Sequence, residues 1–142
     1  MPFHRLRSLL FDRRWTLVSI AGIVPVGFDA KLYRGPAAEW VNDSLSGAFY
    51  VVFWCLVFFS LRPQWRPANI AASVLAATCA LEFLQLWHPP LLESARSHFL
   101  GAAILGTTFD WSDFPYYFAG AALGWLWLNR LAAARTRRAV PS

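Results

Sequence analysis

The chain has 142 residues, the length of one domain, with 57% hydrophobic and 15% charged residues and a net charge of +5. A soluble domain carries about 25% charge, and a soluble globule of this size could not hide eight Trp, twelve Phe and four Tyr. Disorder is excluded by the same apolar and aromatic richness, so composition alone points to a membrane protein.

Four apolar stretches follow in chain order. The first, 15–28, is free of charge until Asp29 up to which it runs through Gly22, Pro25 and Gly27, and a snorkelling Lys31 extends it toward Tyr33. Its prolyl and glycyl residues predict a kinked or tilted span. It is expected to be retained, because Val26-Gly27-Phe28-Asp29-Ala30 lacks the small-x-small pattern of signal-peptide cleavage. The second stretch, 44–61, and the third, 69–87, meet the roughly 17–25 residues that a spanning helix needs. The fourth, 114–128, reaches that length if Ser112 and Asn129 sit at the interfaces. Ahead of the first span, residues 2–14 set Phe3, Leu6, Leu9 and Leu10 among arginines, which fits a short amphipathic helix on anionic lipid or a disordered basic tail.

The basic residues then orient the chain. Arg5, Arg7, Arg13 and Arg14, Arg62 and Arg66, and Arg130, Arg135, Arg137 and Arg138 fall on one side, against Lys31, Arg34 and Arg96 on the other. The richer side is assigned to the cytoplasm, with both termini inside. This partition accounts for the basicity without a nucleic-acid partner. The expected architecture is all-α: a basic cytoplasmic arm (1–14), a bundle of four transmembrane helices (15–130) in the bacterial inner membrane, and a basic cytoplasmic tail (131–142).

The third helix is expected to end at His88-Pro89-Pro90, since two prolines cannot continue the ladder. Residues 91–110 mix charges with an apolar patch, 99–105, and are too long and apolar for a plain loop. They predict an interfacial or re-entrant segment between helices three and four.

Glu82 is the sharpest chemical feature, lying about six residues, roughly 9 Å, inside the third helix. A carboxylate there is costly, faces the bundle interior and takes a partner. Its role is either to fix helix packing or to serve a functional site. Gln85, one turn on, shares its face. His88 belongs to the helix end, and Arg96 is the cation of the following connection. Asn42 and Asp43 at the start of helix two, and Asp113 at the start of helix four, suit helix capping. Asp43, Glu82, Gln85, His88, Arg96 and Asp113 all map to one mouth of the bundle. Helix four continues with Tyr116, Tyr117 and the small face Gly120-Ala121-Ala122-Leu123-Gly124, suited to close packing within the chain or in a dimer. Trp40, Trp87 and Trp111 outside, and Trp125 and Trp127 inside, suit interfacial belts. Cys55 and Cys79 lie in apolar runs and read as buried hydrophobes. No residue spacing calls for a metal or a cofactor, and no nucleophile is set out for catalysis.

The ordered polar positions resemble a bacterial membrane family, domain of unknown function 2809. They are Asn42-Asp43-Ser44-Leu45, Glu82-Phe83-Leu84-Gln85-Leu86, Pro89-Pro90-Leu91-Leu92, Arg96, Leu105-Gly106, Phe109-Asp110-Trp111-Ser112-Asp113, Tyr117 and Gly120. That family is similar to VanZ-like proteins, whose name is associated with glycopeptide (teicoplanin) resistance. VanZ-like proteins share a Glu-x-x-Gln, an Arg in the next loop and Asp-x3-Asn-x2-Gly-x3-Gly. Asp113, Gly120 and Gly124 fit that spacing, with Tyr117 in the place of Asn and His98 in the place of a small hydroxyl residue. The resemblance implies an architecture and a functional face, and no reaction.

Two functions compete. In the first, Asp43, Glu82, Gln85, His88, Arg96, Asp113 and Tyr117 form an outward-facing polar cluster that binds an envelope lipid or an anionic ligand held by Arg96. In the second, the protein is an accessory subunit of a larger membrane complex, or a homo-oligomer, and the cluster locks helices. An enzyme using Glu82 as general acid or base is a third and weaker reading.

Overall fold

The computed structural model describes the backbone of residues 2–139 and the side chains of residues 13–137; within these, all regular structure is helical. Six helices follow: α1 (Pro2–Leu32), α2 (Ala38–Leu61), α3 (Pro67–Leu84), α4 (Pro90–Arg96), α5 (Phe99–Leu105) and α6 (Phe114–Ala139). Three are long and apolar enough to cross a membrane: α1 over Arg13–Leu32, α2 over Ala38–Leu61 and α3 over Pro67–Leu84. α6 is 26 residues long but is more polar, because Tyr116, Tyr117, Asn129 and Arg130 interrupt its apolar sequence. The basic arm is helical and continuous with α1. The side chains of Phe3, Leu6, Leu9 and Leu10, on which its amphipathic reading rests, lie outside the described residues, as does the tail beyond residue 139.

Local chemistry sets the helix ends. Pro67 and Pro90 stand at the first helical positions of α3 and α4, each preceded by an extended residue, where a missing N–H costs nothing. α2 starts at Ala38, before the expected Ser44, so Asn42 and Asp43 lie within a helix. Residues Val41–Leu45 form a π turn there. The carbonyl of Asn42 accepts from Ser46 Oγ and, at 3.1 Å, from Lys31 Nζ, so side chains take up what the widened turn leaves open.

α2 is the hub. Its Val51, Val52, Cys55 and Leu56 are buried against Ile23 of α1, Ile70, Ala71 and Val74 of α3, and Tyr117, Ala121 and Leu128 of α6. α6 starts where α3 ends and returns along both α2 and α3. At one end the Trp40 indole donates to the Tyr116 hydroxyl; at the other, Arg135 Nη1 donates to the Pro63 carbonyl at 3.1 Å. The small face of α6 is used within the chain. A Cβ on Gly120 would stand 2.5 Å from the Ala48 carbonyl oxygen, and one on Gly124 would stand 2.9 Å from Cys55 Sγ. Cys55 is buried and Cys79 half-buried, both as free thiols.

Residues 90–105 form two short helices instead of one segment. Ser97 and His98 break them, and Gly106 closes α5 at φ +70, where a side chain would be strained. Tyr50 Oη donates to the Ile104 carbonyl at 2.9 Å and ties α5 to α2.

The α2–α6 contact generates a stability prediction. Gly120→Ala should lower unfolding free energy in mild detergent by about 1–3 kcal/mol through overpacking. Gly22→Ala, whose Cβ meets nothing within 4 Å, should raise it by up to about 1 kcal/mol.

Candidate functional site

Glu82 is 1% exposed. It lies in the last turn of α3, which closes at Leu84, earlier than the double proline would require. The closure is a tightened turn: Leu86 N donates to Phe83 O and Trp87 N to Leu84 O, both at 3.1 Å. Glu82 is therefore shallower along its helix than its sequence position suggests, and its burial comes from what covers the helix end.

The covering groups are donors. Tyr117 Oη donates to Glu82 Oε2 at 2.6 Å, Gln85 Nε2 to the same oxygen at 3.2 Å, and the Asp110 backbone N–H to Oε1 at 2.9 Å. Three chain segments thus converge on one carboxylate, as a buried charge-bearing group requires. Aromatic rings wall this end: Phe83 packs on Phe109, Trp111 and Phe114, with centroids 5.4–6.0 Å away.

Arg96 is not a partner of Glu82. It is 7% exposed, and its guanidinium caps the end of α3: Nη2 donates to Leu84 O at 2.9 Å and Nη1 to Trp87 O at 3.0 Å. Nη1 also meets Glu93 Oε1 at 2.9 Å. The same Glu93 oxygen takes exposed His88 Nδ1 at 2.8 Å. Hydrogen bonds from His88 and then Arg96 hold the Glu93 carboxyl below its usual range. His88 and Arg96 thus form a second cluster through Glu93, which serves both. The i,i+3 spacing of Glu93 and Arg96 was the signal for that pair.

Asp43 sits on the rim and pairs with Lys31 at 3.4 Å, both exposed. The cap at the start of α6 is Asp110, not Asp113: its side chain accepts from Ser112 N at 2.8 Å, opening the 3-10 turn Trp111–Asp113. Those Ser112 bonds hold the Asp110 carboxyl low. The Asp-x-Ser spacing could have identified this turn. Asp113 is half-buried and its Oδ1 has no hydrogen-bond partner. Burial first, then the Glu82, Asp110 and Asp43 carboxylates, push its carboxyl up to about 6. Asn42 Oδ1 and Gln85 Oε1 are likewise buried without partners. Among the described residues no group of three His, Cys, Asp or Glu is placed to hold a metal ion.

A family model described as "Protein of unknown function (DUF2809)" matches residues 37–121, more than half of the chain. The chain belongs to this family. The DUF2809 region contains all seven expected site residues together with Glu93 and Asp110, and leaves out α1 and the part of α6 beyond residue 121. No curated protein and no solved structure matches the chain.

Two outcomes test this geometry in the DUF2809 protein. Tyr117→Phe removes one donor from a buried carboxylate and should cost about 1.5–3 kcal/mol of unfolding free energy; His88→Ala on the exposed rim should stay within about 0.5 kcal/mol. For Asp113, between its ordinary value of 3.8 and about 6 the folded protein keeps a proton that the unfolded chain has released. Stability should therefore fall as pH rises across that window and level off above it. Thermal unfolding of Asp113→Asn should lose this component of the pH profile.

Proposed function

We propose that this protein is a four-span bundle of the bacterial inner membrane, similar to VanZ-like proteins, with both termini cytoplasmic and an outward-facing mouth that receives the polar headgroup of an envelope lipid. The fourth span is supported by the length and course of α6. Its 26 residues extend about 39 Å, and it runs back beside α2 from Trp40 to Pro63. The orientation is supported by the ten arginines on the side of the 62–66 turn. An interfacial place for α4 and α5 is supported by Leu91, Phe99 and Leu100, which are 82%, 71% and 70% exposed and would be costly in water as a cluster.

One observation carries the ligand reading. Asn42, Gln85 and Asp113 each present a buried oxygen without a donor, beside the carboxylates of Glu82, Asp43 and Asp110. Each such acceptor costs about 1–3 kcal/mol when left unsatisfied. The mouth therefore favours a headgroup bearing ammonium or hydroxyl donors. An anionic group finds less support here: both Nη atoms of Arg96 are committed to carbonyls and to Glu93, and its buried Nε alone is without a partner, against three such oxygens. The accessory-subunit reading draws on a different fact: Glu82 is engaged by three bonds within the chain, as a helix lock would be. We assign no reaction.

Nanodiscs of phosphatidylethanolamine, whose ammonium donates, and of phosphatidylcholine, whose ammonium cannot, separate these readings. Phosphatidylethanolamine should be retained in preference through purification, more strongly above than below about 6, where Asp113 loses its proton. Asp113→Ala should abolish that pH dependence. Equal retention of both lipids at every pH refutes the headgroup site, and stoichiometric co-purification of a partner protein favours the accessory subunit.

A further inference from the structure

The sequence alternates rings and polar residues over Phe109-Asp110-Trp111-Ser112-Asp113-Phe114, and the Glu82 network draws from it only the Asp110 amide. The fold gathers the rings. Phe83, Phe109, Trp111 and Phe114 form one cluster in which every pair is in contact, with centroids 5.0–6.2 Å apart. A group held between two ring faces needs about 7 Å from ring to ring, twice the carbon contact distance of about 3.5 Å. No ligand fits inside this cluster, so it is not a cage for a quaternary ammonium. What it offers is an outer face, where Trp111 is 68% and Phe83 48% exposed.

That face adjoins the polar mouth. Phe83 follows Glu82 in the chain, and the Phe114 ring lies 6.1 Å from that of Tyr117, whose hydroxyl donates to Glu82. Gln85, 7% exposed, holds a buried oxygen there without a donor. On either side of Trp111 in sequence stand Asp110 and Ser112, both exposed. The Asp110 carboxylate has about four lone-pair sites, more than its Ser112 partners use, and Ser112 adds a hydroxyl that donates and accepts. A flat ring with its electron-rich face outward attracts the weakly positive C–H bonds of a sugar ring, while the sugar hydroxyls at the ring edge donate to carboxylates. An acyl chain would lie on the same rings and leave those acceptors unused.

We propose that the outer face of this cluster, Trp111 with Asp110 and Ser112 beside it, is a platform for the sugar ring of a glycosylated lipid. The inference rests on the headgroup reading of the outer mouth and narrows it from ammonium or hydroxyl donors to a ring bearing several hydroxyls. Trp111 is the residue that sets this specificity, since it is the most exposed ring of the four.

The test is lipid retention by the full chain in nanodiscs carrying equal amounts of glucosyl diacylglycerol, phosphatidylethanolamine and phosphatidylcholine, read by native mass spectrometry. The wild-type chain should retain the glucosyl lipid over phosphatidylcholine by about tenfold or more. Trp111→Leu, which keeps apolar bulk without a flat ring, should remove most of that preference, and Trp111→Phe, which keeps a ring, should preserve most of it. Neither should change the retention of phosphatidylethanolamine. Trp65→Leu, at an exposed tryptophan of the opposite end, should leave every ratio unchanged. A preference for phosphatidylethanolamine without one for the glucosyl lipid overturns the sugar platform and leaves the headgroup site standing; no preference for either overturns both. An undiminished preference in Trp111→Leu overturns the platform, and so does an equal loss in Trp65→Leu, which would make Trp111 one more ring of an interfacial belt.

Discussion

A carboxylate at the end of an apolar helix must be met by donors, and the arrangement of half of this molecule follows from how Glu82 meets them. Gln85 comes from its own helix, the Asp110 N–H from the turn before α6, and Tyr117 from the first part of α6. To bring Tyr117 in, α6 must lie close on α2, and Gly47 gives the ring its space: a Cβ there would stand 2.9 Å from Tyr117 Cε1. To bring the Asp110 amide in, the chain after α5 must fold over the end of α3, and the positive φ of Gly106 allows that reversal. Removing any one donor leaves the others holding a group whose desolvation they no longer offset. The lock is therefore cooperative across three segments far apart in sequence.

A second constraint is the end of α3, whose last carbonyls need partners once the helix stops short of the prolines. Arg96 supplies them, reaching back from α4 to Leu84 and Trp87. A buried guanidinium spent on carbonyls is a splint: it fixes α4 against α3 and sets where the covering segment begins. This explains how an arginine and a glutamate, both buried within a few residues of one helix end, do without each other. Each has found neutral or backbone partners of matching polarity, and Arg96 keeps Glu93 at the water-facing edge for its charge.

The apolar stretches, the helical class and the convergence of polar residues at one end were legible in the sequence, because hydropathy and chain reversal suffice for them. Three particulars were not. The π turn at Val41–Leu45 leaves no compositional mark, and it moved Asn42 and Asp43 from a cap into a helix. The donor from Asp110 is a backbone amide, which every residue has, so only the fold identifies the one that matters. Arg96 reads in the sequence as a cation that could hold an anionic ligand, since sequence spacing cannot report that the carbonyls of a helix end take up its guanidinium. Tyr117 entered the expected cluster through the family resemblance; its part in the lock depends on the register of α6 on α2, which follows from Gly120 and Gly124 seating on Ala48 and Cys55.

The two ends of the bundle differ in the sign of the charged residues they carry. At the Glu82 end, burial and then the neighbouring carboxylates of Glu82, Asp110 and Asp43 raise Asp113 to about 6, and Lys31 is engaged on the exposed rim, where an ion pair is worth little. At the other end arginines predominate, and Arg135 is engaged with the Pro63 carbonyl. Such separation costs Coulomb energy within each cluster, and nothing in helix packing alone requires it, since small and apolar residues make the α2–α6 and α2–α3 contacts. The Glu82 end thus carries polar groups that helix packing alone does not require, the buried oxygens of Asn42, Gln85 and Asp113 among them.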